Sequence, residues 1–280
     1  MKQNVTVSII VTTKNEDKNI KNCLESIKKQ NFNNSAIEII VIDNYSSDKT
    51  KEVATRFTEK IFDKGPERSA QRNFGAEKAT GKYILYLDAD MILSESVVTD
   101  CVNKSENEGL IGLYIPEIIV GSGYWIKVRN FERNFYNASC IDAVRFINKD
   151  LFVRLGGFDL SMTGPEDWDL DRRLSEKGKT GIISSCLFHN EGAFNLKKYI
   201  RKKSYYAGSF DNYLNKWGRK DIIVKKQLGL YYRFIGVFME KGKWVKLLKH
   251  PLLAISMYYL RFLVGITFLL KKKQQLTSKQ

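Results

Sequence analysis

Lys82-Tyr83-Ile84-Leu85-Tyr86-Leu87-Asp88-Ala89-Asp90-Met91 is a short apolar run that ends in two carboxylates. Residues 83–87, bounded by Gly81, have the length and composition of a buried strand. A strand that delivers Asp-x-Asp at its C-terminal end sets hard oxygen ligands at the rim of a sheet, where open α/β sheets bind ligands. Two like charges this close are costly unless a cation joins them. Mg2+ and Mn2+ favour such oxygens and bridge carboxylates to substrate phosphates. Alone, Asp-x-Asp reads more readily as a solvated turn, because Asp is common in turns. The neighbouring sequence decides between the two.

Upstream, residues 5–11 form a continuous apolar, β-branched run, read as a buried parallel strand. Thr12, Thr13, Lys14, Asn15 and Glu16 follow as a polar loop. Residues 19–30 place Ile20, Cys23, Leu24 and Ile27 at helical spacing. Residues 37–42 are a second buried strand, ending in Asp43-Asn44-Tyr45-Ser46-Ser47-Asp48. Asp48 is placed to cap the helix that carries Val53 and Phe57. Ile61-Phe62 reads as a short third strand, and residues 69–79 as a helix stopped by Gly81. This alternation predicts a parallel or mixed doubly wound sheet. Polar residues at three successive strand ends, Thr12, Asp43 and Asp88, point to one crevice.

The 280 residues carry 46 Lys and Arg against 31 Asp and Glu, a net charge of +15 that calls for an anionic partner. Cys23, Cys101, Cys140 and Cys186 form no Cys-x-x-Cys pair and read as reduced thiols. No secretory signal is read at residues 5–11, which are too short and run at once into charge. No nucleic-acid-binding motif accompanies the basic charge, so nucleic acid is not expected as a partner.

Downstream, residues 95–107 read as a helix, 110–115 as a strand, 125–136 as a helix and 144–148 as a strand. Gly156-Gly157-Phe158-Asp159 is a turn. Glu166 and Asp167 open a helix that ends before Gly178, where acids also suit the helix dipole. Residues 180–183 form a further strand, with His189 shortly after it. Residues 196–214 are basic and aromatic. Residues 251–270 are nearly apolar but contain Arg261, which costs roughly 2.5–3.5 kcal/mol at a bilayer centre. Lysines flank both ends. A membrane span, a helix lying in an anionic leaflet and a buried core helix all remain open.

The residues now assembled resemble the family 2 glycosyltransferases, which use the GT-A fold. The matching pieces run from Val7-Ser8-Ile9-Ile10-Val11-Thr12-Thr13-Lys14-Asn15-Glu16 through Val41-Ile42-Asp43-Asn44 and Arg72-Asn73-Phe74-Gly75. They continue with Asp88-Ala89-Asp90, Gly156-Gly157-Phe158-Asp159, and Glu166-Asp167 with Leu170 and Arg173. The resemblance implies a nucleotide-diphosphate sugar donor, UDP- or GDP-linked, and a divalent metal, Mg2+ or Mn2+. It implies that Thr12, Asn15 and Glu16 line the nucleotide pocket, that Asp43 accepts from base or ribose, and that Arg72 meets the nucleotide or its phosphates. Asp90 would bind the metal directly and Asp88 the ribose or the metal, with His189 the candidate further ligand. Asp167 would be the base that takes the acceptor proton, Glu166 would position the acceptor, and direct displacement would invert the anomeric centre. The Gln-x-x-Arg-Trp motif of processive members is missing. Arg201-Lys202-Lys203 with Tyr205-Tyr206 stands near its place, so one sugar per encounter is expected.

The expected organisation is a nucleotide-sugar-binding half over residues 1–115 and an acceptor-binding, catalytic half over 116–195. A helical, membrane-associating region covers 196–280. The basic, apolar C-terminal part points to a lipid-linked acceptor, of polyprenyl-phosphate type, at the cytoplasmic face of a membrane. The attachment is peripheral or single-pass through 251–270. The alternatives are a protein or soluble-glycan acceptor and, more remotely, a nucleic-acid-binding protein.

Overall fold

The computed structural model describes residues 5–206 and 209–277, with side chains through residue 267. The chain divides into two units. The first comprises the described residues up to Ile118 together with Asp142–Leu160 and Glu166–Asn190. Its strands are β1 Val7–Thr13, β2 Ile37–Asp43, β3 Ile61–Asp63, β4 Tyr83–Asp88, β5 Met91–Leu93, β6 Gly112–Tyr114, the start of β7 Glu117–Ser122, β8 Val144–Asn148, β9 Thr180–Ile182 and the start of β10 Leu187–Ala193. Seven of them form one mainly parallel sheet in the order β3-β2-β1-β4-β8-β6-β9. β8 is the strand that runs antiparallel to its neighbours, β4 and β6.

Strand alternation explains why β1 carries apolar residues on both faces. Val7, Ile9 and Val11 face a core shared with helices Ile20–Lys28 and Val97–Glu108. Ile10 faces the opposite core with Ile40, Ile42, Ile84 and Tyr86, under helices Arg68–Lys78 and Glu166–Ser175. Gly75 lets the first of these helices approach β1, since a Cβ there would lie 2.4 Å from Ile10 Cγ2.

Sequence reading and structure differ at several places. Thr12 and Thr13 are not loop residues. They close β1, where they are buried and pair with Asp88 and Asp43. Gly81 does not stop the preceding helix, which ends at Lys78. It lies against Ser8, where a Cβ would come within 2.7 Å of the Ser8 backbone nitrogen. His189 lies inside β10, opposite Met91 of β5. All four cysteines are free.

The second unit comprises Ile119–Ile141, Ser161–Pro165 and the described residues from Glu191 onward. Residues 116–195, expected as an acceptor-binding half, are distributed over both units. The unit contains helices Tyr124–Arg133, Leu196–Tyr206, Phe210–Trp217, Ile222–Leu228 and Pro251–Thr277. Among the described residues, no helix is long and apolar enough to cross a membrane. Residues 268–270, which complete the expected single-pass segment 251–270, lie outside the residues whose side chains are described. Arg261 is 8% exposed and donates to Glu132 Oε1 at 2.8 Å and to the Arg233 carbonyl. Ala254, Met257 and Leu260 are buried beside it. The arginine that interrupts the apolar run anchors the helix to its own unit.

Candidate active site

The register of the first unit builds the site. Thr12 lies opposite Asp88 and Thr13 opposite Asp43, so three polar strand ends share one edge. The chain leaves β1 for β2 and β3 on one side and returns through β4 on the other. The edge between β1 and β4 is thus the switch point of the sheet, where ligands bind in such folds.

Arg72 is 2% exposed and its guanidinium lies over the rings of Tyr86 and Phe158, 4.6 and 5.3 Å from their centroids. It donates to Asp88 Oδ1 and to Asp167 Oδ1, each at 3.1 Å. One turn earlier, Arg68 donates to Asp88 Oδ2 at 3.2 Å and pairs with Glu166 Oε1 at 3.7 Å. Two arginines at helical spacing thus join the carboxylate at the end of β4 to both acids that open helix Glu166–Ser175. Thr12 Oγ1 also donates to Asp88, at 3.0 Å. Burial pushes the Asp88 carboxyl up, but Arg72 and Arg68 outweigh it and hold the group well below the usual carboxylate range. Both Asp88 oxygens are thereby engaged by cations, which turns this acid toward the arginines.

The motifs around this network act as its frame. Asn73 accepts from the Phe158 backbone N–H at 2.8 Å and donates to its carbonyl at 2.9 Å, fixing the ring under Arg72. Gly157 turns beside it at φ +66°, where a Cβ would meet Asn73 Oδ1 at 2.5 Å. Arg173 donates to the carbonyls of Leu155 and Gly157 and to Asp169, tying the acidic helix to the glycine turn. Of the two acids, Glu166 has a side chain 2% exposed and Asp167 one 25% exposed. Burial, and then the Asp167 charge, raise the Glu166 carboxyl above its ordinary value.

A second chain of groups runs through Asp90. Its Oδ2 lies 3.2 Å from His189 Nε2, and its Oδ1 is buried without a hydrogen-bond partner. His189 Nδ1 lies 2.8 Å from Glu117 Oε1, and Arg145 donates to Glu117 Oε2 at 3.2 Å. Burial alone would lower the His189 pKa, but the hydrogen bonds to Asp90 and Glu117 push it up to about 10. An orphaned carboxylate oxygen beside an imidazole, whose far nitrogen a second carboxylate fixes, has the donor chemistry of a divalent metal site. Among the described residues, no group of three His, Cys, Asp or Glu side chains converges on one ion position. Asp90 and His189 offer two donors of the kind such an ion takes, and phosphates are the usual source of further oxygens.

The structure brings Thr12, Arg72, Asp88, Glu166 and Asp167 into one network and Asp90 and His189 into contact. It places Asn15, Glu16 and Asp43 in a neighbouring loop group. Asp43 accepts from the Ser46 backbone N–H and hydroxyl, both at 2.6 Å, and Asn15 donates its N–H to Ser46 Oγ. The Glu16 N–H reaches Thr50 Oγ1. Sequence reading missed Arg68, whose signal was its place four residues before Arg72. It also missed Glu117, which stands in phase with buried Ile115 and Ile119 in an alternating pattern.

A family model described as Glycosyl transferase family 2 matches residues 8–160. Over 91 residues the chain is 36% identical to the glycosyltransferase AglE of Haloferax volcanii, and it spans only 30% of that relative. Two solved structures share the fold. One is Staphylococcus aureus TarS 1–349 in complex with UDP-GlcNAc, with TM-score 0.59 and 16% identity, covering 98% of this chain and 92% of that one. The other is the mannosyltransferase PcManGT from Pyrobaculum calidifontis in complex with GDP-Man and Mn2+. Its TM-score is 0.63 at 17% identity, over 99% and 89% of the two chains.

Proposed function

The chain belongs to glycosyl transferase family 2, and from that premise we propose that it transfers one sugar, with inversion, from a nucleotide-diphosphate sugar to a hydroxyl or phosphate acceptor. The acceptor on this reading is a lipid-linked glycan at a membrane. The observation that carries the catalytic part is the convergence, at the end of β4, of Asp90 with His189 and of Asp88 with the arginines that hold Glu166 and Asp167. That PcManGT binds GDP-Man with Mn2+ and TarS binds UDP-GlcNAc supports a nucleotide-sugar donor and a divalent cation here.

Asp90 and His189 are the residues that would hold Mn2+ or Mg2+. Such an ion supplies neutralisation of the diphosphate as it leaves. Thr12, Asn15, Glu16 and Asp43 form the nucleotide side of the crevice, and Arg72 and Arg68 supply fixed positive charge beside it. Asp88 holds both arginines in place. Asp167, the more exposed of the two acids, takes the proton from the acceptor hydroxyl. Glu166, buried and raised in pKa, acts through Arg68 to position the acceptor side. Nothing in this arrangement requires the acceptor to be retained after one transfer.

The test is a panel of nucleotide sugars with Mn2+. Ligands that bind the folded state raise the melting temperature, and the donor found this way is then assayed for transfer into membrane extract. Full transfer by both Asp90→Ala and Asp167→Asn would overturn the mechanism.

A further inference from the structure

Residues 219–280 hold 14 Lys and Arg against two acids, and so carry +12 of the chain's net +15. Within the second unit, helix Pro251–Thr277 has two apolar faces. Ala254, Met257 and Leu260 are buried, while Leu252, Ile255, Tyr259, Phe262 and Ile266 are exposed by 73, 68, 50, 59 and 37%. The exposed five recur at intervals of three and four residues, which aligns them in one stripe. At 1.5 Å per residue the stripe is about 21 Å long. Between Pro251 and Leu270 the one charged residue is Arg261, and it is buried on Glu132, away from the stripe. Lys246 and Lys249 precede the stripe, and Lys271, Lys272 and Lys273 follow it in sequence.

We propose that this stripe is a membrane-docking face, on which helix Pro251–Thr277 lies in the plane of an anionic lipid surface. The inference deepens the membrane part of the function proposed above and rests on it only for the identity of the acceptor. A helix that covers its own unit normally turns polar residues to water, and this one turns Leu, Ile, Tyr and Phe. An apolar stripe bracketed by lysines matches the interior and the headgroup layer of an anionic leaflet at once. A second copy of the chain is a poorer occupant, because it would set one +12 region against another. A nucleic acid is poorer still, because the stripe offers its phosphates no charge.

The experiment is co-sedimentation of the full chain with vesicles of phosphatidylcholine, with and without phosphatidylglycerol. The expected result is salt-sensitive binding to the anionic vesicles and weak binding to the neutral ones. Leu252→Ser/Ile255→Ser/Phe262→Ser lowers the partition coefficient by about tenfold or more, and Lys246→Gln/Lys249→Gln by about tenfold, on anionic vesicles. Far-UV circular dichroism and the melting temperature check that both variants fold. Phe262→Trp gives an independent readout, a blue-shifted fluorescence on adding anionic vesicles. The inference is overturned if the wild-type chain stays in the supernatant or if the serine variant binds as well as wild type. It is overturned too if the Phe262→Trp emission does not move, or if the serine substitutions instead split a vesicle-independent dimer. Nucleotide-sugar binding, followed by melting temperature, separates the two readings. Its survival without vesicle binding sinks this inference alone, and vesicle binding without it sinks the catalytic reading alone.

Discussion

Glu117 holds His189: its Oε1 lies 2.8 Å from Nδ1 of the ring. Nε2 is thereby aimed at Asp90, 3.2 Å from Oδ2, and Arg145 holds Glu117 in turn. A carboxylate behind a ligating histidine fixes its tautomer and orientation, and its loss typically costs 10–100-fold in metal affinity. Glu117→Ala should weaken Mn2+ binding by about that factor, and Glu117→Gln, which keeps an acceptor for Nδ1–H, by less. Electron paramagnetic resonance of free Mn2+ reads the affinity without any turnover. Unchanged affinity in Glu117→Ala would remove His189 from the metal site.

The same triad sets a pH dependence. The His189 pKa is raised to about 10, so without a metal the ring is protonated at neutral pH. Ligation requires the neutral imidazole, so binding must expel a proton. Mn2+ affinity should therefore rise with pH, by up to about tenfold per unit, until the pH passes about 10. Calorimetry in two buffers of different ionisation enthalpy counts the released proton. His189→Gln should bind more weakly and show a flatter pH profile; an equally steep one would place the proton elsewhere.

Asp167 and Glu166 should separate kinetically. Asp167→Asn removes the proposed proton acceptor but keeps a side chain that Arg72 can meet. Transfer should fall by about a hundred- to ten-thousandfold in kcat, with nucleotide affinity within a few-fold of wild type. Glu166→Gln leaves that acceptor in place, so its loss should be smaller and show mainly in KM for the acceptor. The reverse order of effects on kcat would exchange the two roles.

The strands that carry the crevice, β1, β2, β4 and β8, were legible because each is a short run dominated by apolar residues and buried on both faces. Those that bring His189 to Asp90 were not. β10 reads Leu-Phe-His-Asn-Glu-Gly-Ala, and its pairing with the three-residue β5 comes from tertiary contact, not local propensity. Asp88, Asp90, Arg72, Asp167 and His189 stood out as motif residues. Their partnerships span 16 to 99 positions of sequence, and no pattern in the chain announces that Arg68 and Arg72 clamp Asp88. Arg261 misled for the same reason. It reads as a flaw in an apolar segment because Glu132 lies 129 residues earlier.

That distant pair makes a prediction about stability. Glu132 is 5% exposed and Arg261 8%, and Arg129 approaches the same carboxylate, its Nη1 2.8 Å from Oε2. Burial pushes the Glu132 carboxyl up, but Arg261 and then Arg129 outweigh it and lower the group from 4.5 to about 2. Removing one partner of a buried pair typically costs 3–5 kcal/mol, because it strands the other charge. Arg261→Ala should cost somewhat less than about 5 kcal/mol, since Arg129 remains. Arg261→Met with Glu132→Leu, which strands no acid, should cost less than Arg261→Ala alone. The sign of the pH effect follows from the lowered pKa. The contribution of Glu132 is fully present above about pH 4.5 and is lost as pH falls toward 2, where the folded state also takes up the proton. Urea unfolding followed by fluorescence between neutral pH and pH 3 should show stability falling in acid for wild type. The fall should be shallower in Arg261→Ala, whose Glu132 pKa lies nearer its unfolded value. Equal slopes would mean that the pair does not set the acid stability of this unit.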